Sequence, residues 1–182
     1  EFRLAATAAY NYKFDAKTRL KAGLIANHIQ FSFFKETAPR ASVTDINVLN
    51  AGRQQSVNGK GTTQTVQAYA QIVRNLTDRL VMNAGLHSMY LALNNTTSLE
   101  PRLSFQYRSP KAHTVSLAYG LHSQLLPMST YFYLKKDTIA GKIVESYPNQ
   151  NAAFPRSHHL ILSYNYITPS LWKFSTEVYL QL

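Results

Sequence analysis

The stretch FRLAATAAYNYKF, from Phe2 to Phe14, alternates between two kinds of side chain. Every even position is apolar or aromatic, whereas the odd positions hold charged, polar and small residues. Successive side chains of a β-strand point to opposite faces, so this period of two predicts a strand with one apolar face. An amphipathic helix is excluded, because its apolar residues would recur every three or four positions.

The same alternation returns seven more times along the chain. The apolar registers run through residues 20–26, 66–72, 80–86, 103–107, 115–121, 160–166 and 172–180. None of them contains Asp, Glu, Lys or Arg, although the phase blurs near Asn27-His28-Ile29. The sequence therefore predicts an all-β, antiparallel, up-and-down sheet of eight strands.

Connections between the predicted strands fall into two classes. Four are tight turns built from residues that favour turns, at 15–17, 75–78, 109–112 and 168–170. Between them lie long polar connections at 36–61 and 125–156, and a shorter one at 94–97. Membrane β-barrels have this asymmetry, with short periplasmic turns at one end and longer extracellular loops at the other.

Aromatic residues crowd the short-turn ends of the apolar registers. They are Tyr10, Tyr12, Phe14, Tyr107, Tyr164, Tyr166, Trp172 and Phe174. Such rings favour the level where hydrocarbon meets headgroups, which gives membrane barrels an aromatic girdle. We therefore expect the apolar face to meet acyl chains and the polar face to line a wet lumen. A dry centre formed by Leu4, Ala8, Leu117 and Leu162, ringed by solvated Arg3, Arg102 and Lys173, would contradict this expectation.

Composition sets further limits on the class of protein. The 182 residues carry a net charge of +10, with 19 Lys and Arg against 9 Asp and Glu. That balance suits anionic lipid, acidic ligands or nucleic acid, but the aromatics share the apolar register rather than a basic groove, which argues against nucleic acid. The chain holds no Cys and no run of 18 apolar residues, so we expect neither disulfides nor a spanning helix. It starts in mid-strand without a leader pattern, and we expect that it was cut from a longer protein or that a leader was removed.

Three motifs carry a family resemblance: LEPRLS at 99–104, SLAYGLHSQ at 116–124 and RSHH at 156–159. In this order they resemble the barrel strands of TonB-dependent receptors of Bacteroidetes. The resemblance implies an outer-membrane barrel of about 22 strands, plugged by a separate domain. Residues 1–182 would then form part of that barrel, with the plug and the remaining strands absent.

The resemblance also implies what the protein does and where. We expect energy-coupled uptake of a nutrient at the outer membrane of a Gram-negative cell, not catalysis, and no cofactor. The implied partners are outer-membrane lipid, the inner-membrane TonB complex acting through the missing plug, a nutrient ligand and a surface lipoprotein. The substrate cannot be read from a fold.

Candidate ligand contacts lie in the long connection and on the polar face. They are Tyr131, Tyr133, Arg156, Arg102, Gln106 and His122. The loop tyrosines could equally pack over the barrel mouth. His158 and His159 are adjacent strand residues and point to opposite faces, so the sequence predicts no metal ion shared between them. Ser123 beside His122 and Ser157 beside His158 diverge in the same way, so the sequence predicts no serine–histidine catalytic set.

Two other classes stay open from the residues alone. One is a small, complete eight-stranded barrel enzyme acting on lipids, which requires the first and last strands to pair and a nucleophile beside a base. The other is a soluble lipocalin-like carrier, whose apolar face would point inward.

Overall fold

The computed structural model describes residues 1–37, 54–139 and 142–182. Its elements are β1 Phe2–Lys13, β2 Thr18–Thr37, β3 Gln54–Asn75, β4 Leu80–Leu91, β5 Thr96–Arg108, β6 His113–Ser123, α1 Met128–Tyr131, β7 Lys135–Ile139, β8 Lys142–Ser146, β9 Arg156–Ile167 and β10 Lys173–Gln181. None of the helices in these residues has the length and apolar character that crossing a membrane requires.

Eight strands form one antiparallel sheet in the order β1-β2-β3-β4-β5-β6-β9-β10. Each strand pairs with the next one along the chain, except that β7 and β8 form a separate hairpin between β6 and β9. The predicted eight-stranded, up-and-down antiparallel sheet is confirmed. Because β1 and β10 lie at opposite edges, the sheet is open, and its membership of a barrel stays a prediction.

The register aligns the apolar alternation of all eight strands on one face, which we call the front face. Its large apolar side chains are exposed, for example Leu4 at 63%, Leu117 at 49% and Leu162 at 48%. The opposite face, the back face, carries the residues that alternate with them, such as Arg102 and Ser116. The dry centre that would have contradicted the sequence expectation is therefore not formed by these residues.

We call the uncharged and mainly apolar part of the front face the apolar band. On the eight strands it comprises the even positions 2–12, 20–26, 66–72, 80–90, 158–166 and 174–180 and the odd positions 97–107 and 115–121. The aromatic residues predicted at the short-turn end all lie on or beside it, and Tyr10, Phe14, Trp172 and Phe174 are more than half exposed.

The four tight turns were predicted correctly. In the first, Asp15 Oδ1 accepts hydrogen bonds from the backbone N–H of Lys17 at 2.6 Å and of Thr18 at 2.8 Å. The Lys17 bond is the largest influence on the pKa of this carboxyl and lowers it below its usual value of 3.8. The Asp15 side chain thus caps the backbone N–H groups of its own turn at the exposed end of the β1–β2 hairpin.

The long connections were predicted too long. The first was expected over residues 36–61, but β2 continues to Thr37 and β3 already begins at Gln54, and both strands pair along this extension. The rest of that predicted connection, 38–53, lies outside the described residues. The second, expected over 125–156, contains α1 and the β7–β8 hairpin, and Arg156 is the first residue of β9.

The buried apolar side chains of the back face lie at the long-connection end of the sheet. There Ile29, Phe31, Met89 and Leu91 pack against three residues of the connection between β6 and β9, which are Met128, Tyr131 and Phe154. We call this cluster the cap core.

The connection also hydrogen-bonds to the sheet. β4 pairs with β3 only as far as Leu91↔Thr65, which leaves the far end of β3 without a neighbour on that side. The backbone of the connection fills the gap, because Asn58 N–H donates to the Phe132 carbonyl at 3.2 Å and Leu134 N–H donates to the Ser56 carbonyl at 2.9 Å. Backbone pairing and apolar packing together hold the connection over this end of the back face.

Candidate functional site

A depression of about 470 Å³ lies in the middle of the back face. Side chains from β3, β4, β5, β6 and β9 form it, because antiparallel pairing places alternate residues of these strands side by side. Its polar lining residues include Tyr69, Gln71, Asn83, His87, Arg102, Ser104, His122 and His159. The titratable side chains of His87, Arg102, His122 and His159 are thus placed around one concave surface.

Glu100 lies at the base of this group and is only 1% exposed. Its Oε1 accepts a hydrogen bond from the Ser98 hydroxyl at 3.0 Å, and its Oε2 accepts one from Arg102 Nη2 at 3.1 Å. A buried carboxylate is costly unless it is paired and hydrogen-bonded, and these two donors meet that need. Arg102 itself is about half exposed, so its guanidinium joins the buried acid to the depression.

His87 is the third neighbour of Glu100 and lies directly opposite it in the β4–β5 register. Its Nδ1 is 3.1 Å from Glu100 Oε2, which is ion-pair distance, but the two atoms are not aligned as a hydrogen bond. The other ring nitrogen, Nε2, lies 3.2 Å from Gln67 Oε1. His87 thus links the β5 carboxylate to a side-chain amide of β3.

Two more histidines border the depression on β6 and β9. The rings of His122 and His159 lie 4.6 Å apart, and His159 Nδ1 is 2.8 Å from the Tyr179 hydroxyl on β10. Gly120 leaves room for the His122 ring to lie against the backbone of β6. A Cβ there would lie 2.8 Å from His122 Nε2, so a larger residue would displace the ring.

Of the six predicted ligand contacts, the structure brings two together, Arg102 and His122. Gln106 lies on the same face nearer the short turns, where its Oε1 accepts hydrogen bonds from Arg108 and its amide donates to Ser116 at 3.5 Å. Ligand contact by any of these residues stays a prediction.

The other three predicted contacts lie at the long-connection end. Tyr131 is fully buried in the cap core, which is the packing role that the sequence left open, and burial raises the pKa of its phenol. Tyr133 is 43% exposed and lies opposite Val57. Arg156 is exposed at the start of β9. These three residues do not form one site with the depression.

Sequence reasoning missed Glu100 as a structural centre, although its motif was noticed. The available signal was a lone acid in a strand whose other back-face residues are Thr, Ser, Arg and Gln. Ser98 and Arg102 lie two residues away on the same strand, but His87 comes from β4, and only the register places it opposite Glu100.

His158 and His159 lie on opposite faces, as predicted. His158 Nδ1 is 2.9 Å from the Tyr119 hydroxyl on the front face, whereas His159 contacts Tyr179 on the back face. Within the residues that the structure covers, no group of three or more His, Cys, Asp or Glu side chains is placed to hold a metal ion.

The chain was compared with models of known protein families and with curated proteins, and neither comparison found a match.

Proposed function

We propose that this chain is part of the barrel of an outer-membrane receptor that takes up a nutrient with energy supplied through TonB. In this proposal the front face meets lipid, the back face lines the lumen and the long connections lie outside the cell. The chain contributes wall and loops, while a plug domain supplied elsewhere in the full-length protein couples to the inner-membrane complex.

The observation that carries the membrane part is the exposed, uncharged apolar band. It extends over eight adjacent strands, whereas water-soluble monomers rarely expose apolar patches beyond a few hundred Å². The back face beside it carries Arg3, Lys21, Arg102 and Glu177. A sheet with one such face in hydrocarbon and the other in water satisfies both sets of side chains.

The rival classes fit these contacts less well. A lipocalin-like carrier needs the apolar face inside a closed barrel, but the apolar band is exposed. A complete eight-stranded enzyme needs β1 to pair with β10, and these strands lie at opposite edges of the sheet. For the enzyme, Ser123 and His122 would also have to act together, yet as neighbours in β6 they point to opposite faces.

The receptor part rests on the resemblance and on the position of its motifs. The three motifs lie on β5, β6 and β9, which are adjacent in the sheet. The LEPR segment supplies the buried Glu100 and its partner Arg102, so its charged residues build the polar wall. Both described long-connection features, the cap core and the β7–β8 hairpin, lie at the end opposite the tight turns, where a receptor would meet its ligand.

Membrane placement is tested by labelling single cysteines in the full-length gene product on intact Gram-negative cells. These 182 residues contain no cysteine, so an introduced one is unique among them. We expect a membrane-impermeant maleimide to label Lys142→Cys in the β7–β8 hairpin and to leave Ala16→Cys in the first tight turn unlabelled until the outer membrane is permeabilised. Equal labelling of both on intact cells, or recovery of the protein in the aqueous fraction without detergent, would refute the proposal.

Transport is tested separately by uptake in cells that lack the gene. We would measure radiolabelled ferric chelates, cobalamin and oligosaccharides, with and without a protonophore. We expect loss of uptake of one of these classes in the deletion strain and the same loss on collapsing the proton gradient. Uptake that survives the protonophore unchanged would rule out coupling to TonB.

A further inference from the structure

The β2–β3 ladder is longer than a bilayer needs. β2 has 20 residues and β3 has 22, and they pair from Thr18↔Arg74 to Thr37↔Gln54 with one irregularity at Lys35/Glu36. A strand that crosses the hydrocarbon core needs only about 9–11 residues. About half of this ladder must therefore lie beyond the membrane if the front face contacts lipid.

The chemistry of the front face changes partway along this ladder while its exposure does not. On β3, every even residue from Asn58 to Ala70 is exposed. The members nearest the tight turn, Val66, Ala68 and Ala70, are apolar, whereas those farther along are Gln64, Thr62, Lys60 and Asn58. On β2 the paired residues change in step, from Leu24 and Ala26 to His28, Gln30 and Ser32.

The back face of the same ladder changes in the opposite sense at the same level. Below it, the Asn27 amide donates to the Thr65 hydroxyl at 2.9 Å. The next back-face residues on β2 are Ile29 and Phe31, which are 0% and 3% exposed in the cap core. On β2, therefore, the front face becomes polar and the back face apolar between the pairs Ala26↔Val66 and His28↔Gln64, with the exposed Phe34 as an apolar exception on the front face. On β3 the front face becomes polar at the same level, while its back face continues with Thr63 and Gly61.

A single solvent cannot account for this exchange. If the front face met water along its whole length, its apolar half would have no reason to lack polar residues, and if it met lipid throughout, Lys60 and Asn58 would be buried in hydrocarbon at high cost. A change from acyl chains to headgroups and water at one level explains the front face. The cap core explains the back face, because α1 and Phe154 exclude water from the lumen side there.

We infer that the pair His28↔Gln64 lies where the hydrocarbon of the outer leaflet ends. The front-face strip of His28, Gln30, Thr62 and Gln64 contacts the lipid headgroup layer, and the ladder from there to Thr37↔Gln54 stands in water outside the cell. This inference rests on the proposed function, since it takes the front face to meet lipid.

The boundary does not follow the hydrogen-bonded rows. Phe2 and Leu4 of β1 stay apolar although they pair with Gln30 and His28. Strands of membrane barrels tilt by about 35–45°, so a line of constant depth crosses neighbouring strands at different residues. The apolar ends of β1 are therefore consistent with a level boundary on a tilted sheet.

Depth-dependent fluorescence quenching tests the boundary on one face of one strand. The full-length protein, carrying a fluorophore on Ala68→Cys, Gln64→Cys or Asn58→Cys, is reconstituted in phosphatidylcholine vesicles. We expect an acyl-chain nitroxide lipid to quench Ala68→Cys at least twofold more than the other two. A headgroup nitroxide should act most on Gln64→Cys, and aqueous iodide should act most on Asn58→Cys. Gln67→Cys, the back-face neighbour of Ala68, is the matched control and should resist both nitroxide lipids.

The outcomes separate the boundary from the proposed function. If the acyl-chain nitroxide quenches all three front-face sites alike, the boundary is wrong although the barrel still spans the membrane. If it quenches none of them and also fails at Leu117→Cys, in the middle of β6, then the front face does not meet lipid and both proposals are wrong. Stronger acyl-chain quenching at Asn58→Cys than at Ala68→Cys would reverse the boundary and overturn the inference.

Discussion

Side chains alternate between the two faces along the whole β2–β3 ladder, but the apolar ones lie on different faces in its two halves. Near the tight turn, the front face is apolar and the back face mainly polar, whereas beyond His28↔Gln64 the front face is polar apart from Phe34 and the β2 residues of the back face are apolar. The front face near the tight turn and the cap core are both apolar, but only the cap core is covered by other described residues of the chain. What covers each face, and not the strand itself, therefore decides which set of alternating residues is apolar.

The largest effect is expected where protein covers the apolar register. Phe31→Ala removes a ring that is 3% exposed and lies 4.8 Å from the ring of Phe132, and we expect it to destabilise this end of the sheet by about 3–5 kcal/mol, as buried Phe truncations do. Urea unfolding followed by hydrogen exchange of the β2 amides would measure it. The matched control is Phe34→Ala on the same strand, whose ring is 70% exposed and should matter little. Equal effects of the two substitutions would contradict the existence of a covered core at this end.

The next effect concerns the uncovered apolar band. Leu117→Arg places a charge on its exposed face, and in hydrocarbon we expect a cost of about 2–4 kcal/mol. In water the same exposed substitution would stay within about 0.5 kcal/mol. Urea titration of the protein folded in vesicles distinguishes these values. Ser116→Arg, one residue away on the back face, is the control and should be nearly neutral; a larger loss there than at Leu117 would mean that the faces are assigned the wrong way round.

A smaller effect is expected inside the polar wall. Glu100→Gln keeps the shape of the side chain but removes the charge that Arg102 and His87 contact, and we expect a loss of about 1–3 kcal/mol in the free energy of unfolding. The control is Glu177→Gln on β10, an exposed back-face acid. Urea unfolding of both variants would measure the difference, and equal small losses would mean that the buried Glu100 carboxylate stabilises the fold no more than an exposed one does.

The strands could be predicted from the sequence because their alternation is local. Phe2 to Phe14 specifies both faces without reference to any other segment, and Asn, Asp, Ser and Pro mark the tight turns. The extensions of β2 and β3 escape the sequence pattern for two physical reasons. On β2 the alternation continues but inverts, so the apolar set moves from even to odd residues. On β3 the residues 58–65 are Asn, Gly, Lys, Thr and Gln, and they form no apolar register. The blurred phase at Asn27-His28-Ile29 was the signal of that inversion.

The candidate site could be predicted only in part. Arg102 and His122 were chosen because they share the polar register, which is a local property. The contact between Glu100 and His87 depends on which residues of β4 face β5, and that register is set by pairing across the sheet. Tyr131 was chosen as an aromatic in a long connection, but its neighbours in the cap core come from β2 and β4. Contacts between distant segments were out of reach of periodicity alone.

The smallest effect is expected at the tight-turn end, where Asp15 is exposed. Because the Lys17 amide bond lowers the pKa of Asp15, the ionised carboxylate favours the folded state. This contribution is fully present above the ordinary value of 3.8 and disappears as the pH falls through the lower native pKa. Carboxyl NMR titration in detergent micelles should give a midpoint below that of a model peptide, and Asp15→Asn should abolish this part of the acid sensitivity. A midpoint at or above the peptide value would mean that the turn is not capped by Asp15, and the short-turn end would then lack the order that the sheet shows elsewhere.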